Sequence, residues 1–341
     1  LPVILVINAR GAAMTLAAVV KGIAEFRPDS NIRGILLNRV SAMLYPRLKE
    51  MLENELARIG HDEIKIVGYM PENEAFHLES RHLGLVTPQE MENLQEKVRQ
   101  AGEILAKTVD LELLEKIAGE AAVWKTEVIE ESEKVGNLKS KNDPVRIAVA
   151  RDEAFCFYYK DNIELLEKMG ADIIYFSPIN DSNLPDDISG IIIGGGYPEL
   201  YTEKLSANRE MLRQLKHNIE SGMPCLAECG GFMYLNKAID GYDMVGIFDG
   251  NVFNEEKLTR FGYISLKSND SFLDGIKGHE FHYWDTDNNG ETCLAVKPSG
   301  KRNWKCMRKY KNTLAGFPHL YYYSKPEFAE EFLNKCRGYK A

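Results

Sequence analysis

The sequence predicts an α/β protein built from two three-layer domains with mostly parallel sheets. Short, uninterrupted apolar runs such as Val3–Ile7 and Ile188–Ile193 are typical of strands that are buried on both faces. Segments with helical spacing separate these runs, and this alternation favours a parallel sheet covered by helices. The chain has 341 residues, which at roughly 150 residues per domain indicates about two domains.

Composition and charge narrow the function classes. Hydrophobic residues make up 44% and charged residues 27%, which is ordinary for a globular protein. Lys and Arg number 42 against 51 Asp and Glu, so the net charge is −9 and we expect no nucleic acid or anionic membrane as a partner. No apolar run approaches the ~18–20 residues of a membrane helix. The six cysteines form no C-x-x-C pair, so we expect reduced thiols in a cytoplasmic protein.

The first domain is predicted over residues 1–122. A capping box from Thr87 to Glu90 predicts its last helix, which extends to about Lys107. Lys125–Pro144 holds nine charged and no aromatic residues, so residues 123–144 are interpreted as a linker. The earlier elements are the strands Val3–Ile7, Gly34–Leu37 and Ile64–Tyr69 and the helices Ala12–Phe26 and Leu44–Ile59.

A second α/β domain is predicted over residues 145–341. Asp161 and Glu164 are expected to cap a helix that stops at Gly170. Residues 248–316 carry a shorter, more β-like pattern with many turn residues. The predicted strands are Arg146–Ala150, Asp172–Phe176, Ile188–Ile193 and Pro224–Ala227, and the further helices are Asn208–Glu220, one starting at Phe232 and one after Pro326.

The sharpest chemical signal is Ala227-Glu228-Cys229-Gly230-Gly231, between a predicted strand and a predicted helix. A nucleophile on such a tight turn needs small neighbours. The start of the following helix is expected to lower the pKa of the thiol, and the N–H after the nucleophile can help to hold an oxyanion. The alternative is a buried structural cysteine beside a glycine turn.

Glycines and histidines supply the remaining candidate residues of a functional site. Gly194-Gly195-Gly196 lets backbone approach a ligand and offers N–H groups to an anion, or is simply a flexible turn. Its spacing matches neither nucleotide-loop pattern. Among seven histidines, His319 follows the cysteine in the order that suits a thiol-activating base; a surface or core role is the alternative. The H-x-x-H pair His279 and His282 lacks further ligands, so we expect no metal site in this chain.

Several longer motifs, in order along the chain, resemble one family. AECGGFMYL (227–235), IIIGGGYPELY (191–201), GHEFHY (278–283) and VARDEAFCFYYKDNIELLEKMGA (149–171) are similar to the glutamine amidotransferase domain of the cobyrinic acid a,c-diamide synthase family. VINARG (6–11), ILLNRV (35–40) and ESRHLGLV (79–86) are similar to its synthetase half. The resemblance covers almost the whole chain and implies an incomplete P-loop-type synthetase domain followed by a class I glutamine amidotransferase-like domain.

The resemblance assigns roles to the candidates. It implies that Cys229 is the glutaminase nucleophile, that His319 is its base, and that Gly195, Gly196 and Gly230 line the oxyanion and glutamine site. The implied reaction is glutamine- and ATP-dependent amidation of the a- and c-carboxylates of cobyrinic acid in cobalamin biosynthesis. Its partners are small molecules: glutamine, ATP and a corrin-type tetrapyrrole. Alternatives are a,c-diamidation of Ni-sirohydrochlorin or another tetrapyrrole, and a chain with only glutaminase or binding activity.

The sequence also departs from the family pattern. Ordinary triad amidotransferases carry His-x-Glu, but Tyr321 stands at the third position, so a Cys–His dyad is expected. The resemblance implies ATP and Mg²⁺ as cofactors, yet no G-x-x-x-x-G-K-[ST] loop and no matching acidic Mg²⁺ ligands occur in this chain. Leu1 aligns inside the synthetase domain, so we expect on the order of one hundred residues upstream. We therefore expect little synthetase activity from this chain but a complete glutaminase.

Two asparagines lie at the ends of predicted strands in the synthetase half. Asn8 replaces the Asp that the family commonly carries at this position. Asn38 follows its strand where open α/β sheets bind nucleotides, which predicts an adenine-side contact. A turn or helix cap is the alternative for Asn38.

Overall fold

The computed structural model describes residues 1–27, 29–77, 91, 93–123 and 145–339. Two compact units, Leu1–Glu127 and Val128–Ala341, make up the chain. The division falls within the predicted linker, most of which lies outside the described residues, so the linker stays a prediction. Every helix within the described residues is too short or too polar to cross a lipid bilayer.

The first unit is built on three parallel strands in the order β1-β2-β3. Asn8, Asn38 and Met70 occupy matching positions at the carboxyl ends of these strands, and Ile35 and Leu37 are fully buried in the core. The predicted strands and the first two helices are confirmed. The strands are β1 (Val3–Asn8), β2 (Ile32–Asn38) and β3 (Lys65–Met70), and the helices are α1 (Thr15–Phe26), α2 (Tyr45–Arg58), α3 (Leu94–Thr108) and α4 (Leu111–Gly119).

The end of the first unit differs from the sequence prediction. Helix α3 begins only at Leu94, after Asn93 in the left-handed conformation at φ +57°. The predicted capping box (87–90) and the ESRHLGLV motif (79–86) lie outside the described residues. Helix α4 was not predicted, although the side chain of Asp110 caps it by accepting from the N–H of Leu113.

The second unit is centred on a six-stranded sheet in the order β18-β19-β9-β7-β4-β6. All its neighbouring strands are parallel except the pair β18 and β19. Its strands are β4 (Val145–Ala150), β6 (Ala171–Phe176), β7 (Gly190–Ile193), β9 (Cys225–Glu228), β18 (Arg308–Tyr310) and β19 (Thr313–Gly316). Its helices are α5 (Lys160–Lys168), α6 (Thr202–Ala207), α7 (Arg209–Glu220), α8 (Gly230–Leu235) and α9 (Pro326–Gly338). The predicted α/β fold with mostly parallel sheets is therefore confirmed.

Most strands within residues 248–316 join short strands from elsewhere in the second unit to form further sheets, whereas β18 and β19 belong to the central sheet. A five-stranded antiparallel sheet has the order β17-β16-β13-β14-β20, and a four-stranded sheet has the order β11-β10-β12-β15. A third, short sheet pairs β5 with β8. These strands are β5 (Phe155–Phe157), β8 (Gly195–Gly196), β10 (Ala238–Ile239), β11 (Tyr242–Asp243), β12 (Asn251–Asn254), β13 (Arg260–Lys267), β14 (Lys277–His282), β15 (Trp284–Thr286), β16 (Cys293–Val296), β17 (Asn303–Cys306) and β20 (His319–Tyr321).

Two predicted helix starts need correction. Helix α5 begins at Lys160 with Tyr159 as its N-cap and no side-chain cap, so Asp161 is not the capping residue. The Asp161 carboxylate instead accepts from the hydroxyl of Tyr321 at 3.1 Å. Helix α8 begins directly after Cys229, at Gly230, rather than at Phe232, because the backbone turns within Cys229 itself.

Candidate active site

Three loops of the second unit meet at one edge of its central sheet. Residues 194–196 follow β7, Cys229 follows β9, and residues 317–319 follow β19. Because β7, β9 and β19 are neighbouring parallel strands, their carboxyl ends lie side by side. The fold therefore brings the predicted cysteine, histidine and glycines to one place.

Cys229 occupies a strained turn between strand and helix. Its backbone has φ +48° and ψ −105°, a conformation that non-glycine residues rarely adopt. Its N–H donates to the carbonyl of Gly316 at 2.8 Å, and its carbonyl accepts from the N–H of Met233 at 2.9 Å. Such a conformation costs about 1–3 kcal/mol and is concentrated at functional sites. A cysteine with a purely structural role does not explain that cost.

The two glycines after Cys229 allow helix α8 to pack against the loop after β7. A Cβ atom on Gly231 would lie 2.0 Å from the carbonyl oxygen of Ile193, and the N–H of Gly231 donates to the carbonyl of Gly194 at 2.9 Å. A Cβ atom on Gly230 would lie 3.1 Å from the amide nitrogen of Gly196. The amide nitrogen of Gly196 therefore lies close to the residue that follows Cys229.

The glycine loop after β7 is held in place and reaches the predicted base. A Cβ atom on Gly195 would lie 2.3 Å from Cε1 of His319, so only glycine fits against this imidazole. The N–H of Gly194 donates to the hydroxyl oxygen of Tyr158 at 2.9 Å, and that hydroxyl donates to the carbonyl of Ala150. The interpretation as a flexible turn does not fit a loop with these contacts.

His319 is buried and stacks on a second imidazole. Its ring stacks on that of His279 with centroids 4.8 Å apart and planes 11° apart, and His279 Nδ1 lies 2.7 Å from the hydroxyl of Tyr159. Burial lowers the pKa of His319 to about 3, and the charges of His279 and His282 act in the same direction. The imidazole is therefore neutral near pH 7, with one ring nitrogen unprotonated.

The environment of the Cys229 thiol corrects the prediction of a lowered pKa. Burial raises the pKa of this thiol, the nearby carboxylates of Glu199, Glu280 and Glu228 raise it further, and only the N–H of Gly230 opposes the shift. Helix α8 has six residues, and its N-terminus does not outweigh the loss of water. The resting thiol is therefore protonated and needs a base before it can attack.

The two histidines of the H-x-x-H pair lie in different environments. His279 stacks on His319, whereas His282 stacks on Phe317 with centroids 4.0 Å apart. His282 Nε2 lies 3.0 Å from Glu280 Oε2, and its Nδ1 lies 2.6 Å from a main-chain carbonyl. Residues three apart on a strand face opposite sides, so these two histidines do not share a ligand. Within the described residues, no group of three or more His, Cys, Asp or Glu side chains is arranged to hold a metal ion.

Sequence reasoning missed one residue of this site. Tyr321 stands where the His-x-Glu pattern places a carboxylate, and its hydroxyl donates to Asp161. The carboxylate that approaches His319 is that of Glu228, whose Oε2 lies 4.0 Å from Nδ1. The only sequence signal for Glu228 is its position directly before Cys229, and that position does not indicate a partner as distant in the sequence as His319.

The candidate nucleotide residue lies at the edge of the first unit's sheet. The carbonyl of Asn38 accepts from the N–H of Ala9 at 2.9 Å, and Arg39 pairs with Glu72 at 2.7 Å. Asn8 accepts from the N–H of Arg10 at 3.2 Å, as a turn cap does. A groove beside Asn38 is lined by Asn38, Arg39, Pro71, Glu72, Asn73, Glu74, Phe76 and His77. The adenine-side role of Asn38 stays a prediction.

Comparison with known proteins identifies the family to which the chain belongs. The family model of the CobB/CobQ-like glutamine amidotransferase domain matches residues 146–327. A Caldanaerobacter subterraneus protein named cobyrinate a,c-diamide synthase is 39% identical, covering 99% of this chain and 75% of that protein. Proteins of the same name from Clostridium acetobutylicum and Fusobacterium nucleatum are 37% and 39% identical, covering 98% and 97% of this chain and 75% and 76% of their own length. The chain belongs to the cobyrinate a,c-diamide synthase family and carries its CobB/CobQ-like glutamine amidotransferase domain.

Proposed function

We propose that this protein transfers the amide nitrogen of glutamine to the a- and c-side-chain carboxylates of cobyrinic acid, in an ATP-dependent reaction of cobalamin biosynthesis. The observation that carries the proposal is the strained Cys229 at the carboxyl end of β9, with His319 and the glycine loop at the same sheet edge. The relatives named cobyrinate a,c-diamide synthase support this choice of acceptor, since they align with nearly the whole chain.

The glutaminase step follows from the residues at the sheet edge. Cys229 Sγ attacks the side-chain amide carbon of glutamine while His319 takes the thiol proton. The N–H groups of Gly196 and Gly230 stabilise the oxyanion of the tetrahedral intermediate, with Gly195 leaving room for the imidazole. His319 then returns the proton to the leaving nitrogen, which departs as ammonia, and water hydrolyses the glutamyl thioester to glutamate.

The ATP-dependent half is only partly represented in this chain. The 341 residues contain no phosphate-binding loop, and within the described ranges no cluster of acidic side chains fits a Mg²⁺ ion. The residues of this chain therefore do not fit the triphosphate and its metal. Asn38 and its groove are the part of this chain that we assign to the adenine side of ATP.

The partners and compartment form part of the same proposal. Glutamine, ATP and a corrin-type tetrapyrrole are the expected small-molecule partners, and the net charge of −9 gives no basis for a nucleic-acid partner. The cytoplasm is the expected compartment, since the six cysteines are sparse in the sequence.

The test uses the 341-residue chain with glutamine, Mg-ATP and cobyrinic acid, and mass spectrometry to follow glutamate and amidated corrin together. We expect glutamate from the wild type and none from Cys229→Ala. Amidated corrin in addition would show that this chain uses ATP without a phosphate loop of its own. Equal glutamate release by wild type and Cys229→Ala would overturn the assignment of the nucleophile.

A further inference from the structure

The carboxylate of Glu228 lies 4.0 Å from Nδ1 of His319, whereas the third position of the His-x-Glu pattern is Tyr321. We propose that Glu228 is the positioning residue of the glutaminase site: it holds the imidazole of His319 through Nδ1 and so leaves Nε2 to accept the proton of Cys229. A Cys–His–Glu triad then replaces the dyad expected from the sequence, with its acid contributed by the residue immediately before the nucleophile. This inference rests on the proposed glutaminase function.

Backbone pairing brings Glu228 and His319 together. Glu228 is the last residue of β9 and pairs with Gly316, the last residue of β19. The chain returns three residues later as His319 at the start of β20. Two neighbouring strands therefore fix the positions of both residues, and 92 residues separate Glu228 from Leu320 in the sequence.

One oxygen of Glu228 is anchored and the other faces the imidazole. Oε1 accepts from the N–H of Leu320 at 3.3 Å and lies 3.5 Å from the donating hydroxyl of Tyr322. Oε2 lies 4.0 Å from His319 Nδ1, and both side chains are largely buried. A distance of 4.0 Å exceeds that of a hydrogen bond, and contacts of this kind often tighten when substrate binds.

The chemistry requires the carboxylate form of Glu228. A carboxylate accepts a hydrogen bond from Nδ1–H, which leaves Nε2 without a proton and ready to take one from Cys229. The imidazolium formed in that step then lies beside a negative charge. In this arrangement one proton moves from sulfur to Nε2 and later to the leaving nitrogen, while Glu228 keeps its charge throughout.

The surroundings of Glu228 set the pH above which its carboxylate form is populated. Burial raises the pKa of Glu228 to about 8, and the hydrogen bonds from Leu320 and Tyr322 lower it only in part. The titratable groups that interact with it include His319, Cys229, Tyr158, Tyr159 and Tyr322. Turnover should therefore rise with pH through a limb near pH 8 as the carboxylate forms.

The decisive variant is Glu228→Gln. Glutamine has nearly the same size as glutamate and is uncharged, but it carries an amide in place of the carboxylate. An amide N–H donating to Nδ1 stabilises the tautomer with hydrogen on Nε2, which cannot accept the thiol proton. We expect kcat for glutamate release to fall by about 100-fold or more, with KM changed less than about threefold because glutamine binding is untouched. The limb near pH 8 should disappear from the kcat profile.

Two further measurements separate positioning from folding. Nitrogen-15 NMR of His319 should report hydrogen on Nδ1 in the wild type above pH 8 and on Nε2 in Glu228→Gln, a difference that a purely structural role would not produce. Tyr321→Glu in the Glu228→Gln background restores the His-x-Glu pattern and should recover at least about tenfold of the lost kcat. Glu228→Asp should retain more activity than Glu228→Gln.

Controls distinguish this proposal from the function on which it rests. Asp172→Asn neutralises an ion-paired carboxylate at the opposite, amino end of the same sheet and should leave kcat unchanged. If wild type releases glutamate and folded Glu228→Gln keeps more than half of kcat with the same His319 tautomer, the positioning role is wrong. If wild type releases no glutamate and a glutamine-analogue electrophile does not label Cys229, the glutaminase function itself fails.

Discussion

Replacing Gly195 with alanine tests whether the glycine loop and His319 form a single site. The new Cβ atom would lie 2.3 Å from Cε1 of His319, so the imidazole must move by about 1 Å to reach ordinary van der Waals contact. The ring is stacked on His279 at 4.8 Å, which restricts where it can go. A displacement of about 1 Å at a catalytic group costs about 100-fold in rate.

The assay is glutamate release by purified Gly195→Ala against wild type, with thermal unfolding measured on the same samples. We expect kcat to fall about 100-fold and the free energy of unfolding to fall by about 1–3 kcal/mol from the added methyl group. Gly338→Ala is the matched control, since a Cβ atom there meets nothing within 4 Å. The reasoning is refuted if folded Gly195→Ala turns over glutamine at more than half the wild-type rate.

Three further experiments test the structure. Gly231→Ala places a methyl group 2.0 Å from the carbonyl oxygen of Ile193, so we expect the free energy of unfolding to fall by several kcal/mol. An unchanged urea midpoint would contradict this packing. The raised pKa of Cys229 predicts slow alkylation by iodoacetamide at pH 7 that accelerates steadily toward pH 10, whereas a fast, pH-independent reaction would indicate a resting thiolate. Glu228→Gln should unfold at a higher temperature than wild type at pH 8 and at a similar temperature at pH 4, measured by calorimetry.

The strands of the parallel sheets and the helices between them were predictable from the sequence, because the residue patterns that indicate them are local. A buried run such as Ile188–Ile193 specifies one strand of the central sheet, and an amphipathic segment such as Asn208–Glu220 specifies one helix beside it. The antiparallel sheets were not predictable in detail. Strand β13 pairs with both β14 and β16, and β14 pairs with β20 nearly forty residues later, so their partners depend on tertiary packing rather than on neighbouring residues.

The same distinction applies to the candidate site. Cys229 and the glycines around it were predicted because a strand, a tight turn and a helix are adjacent in the sequence. The protonation state of the Cys229 thiol was not predicted correctly, because burial raises its pKa by more than the N-terminus of the following helix lowers it. Glu228 was missed because the known pattern places the acid two residues after the histidine, whereas this fold supplies it from a neighbouring strand.

The cost of burying Glu228 is itself an argument for its role. Its carboxyl has an ordinary pKa of 4.5 when exposed and about 8 in the folded protein, so between these values the folded state binds more protons than the unfolded state. Stability therefore falls as pH rises through this window, by up to about 1.4 kcal/mol per pH unit. A glutamine at the same position would avoid that loss and still fill the space. A variant that is more stable at pH 8 and yet far slower would show that the carboxylate is present for the chemistry of His319 rather than for the fold.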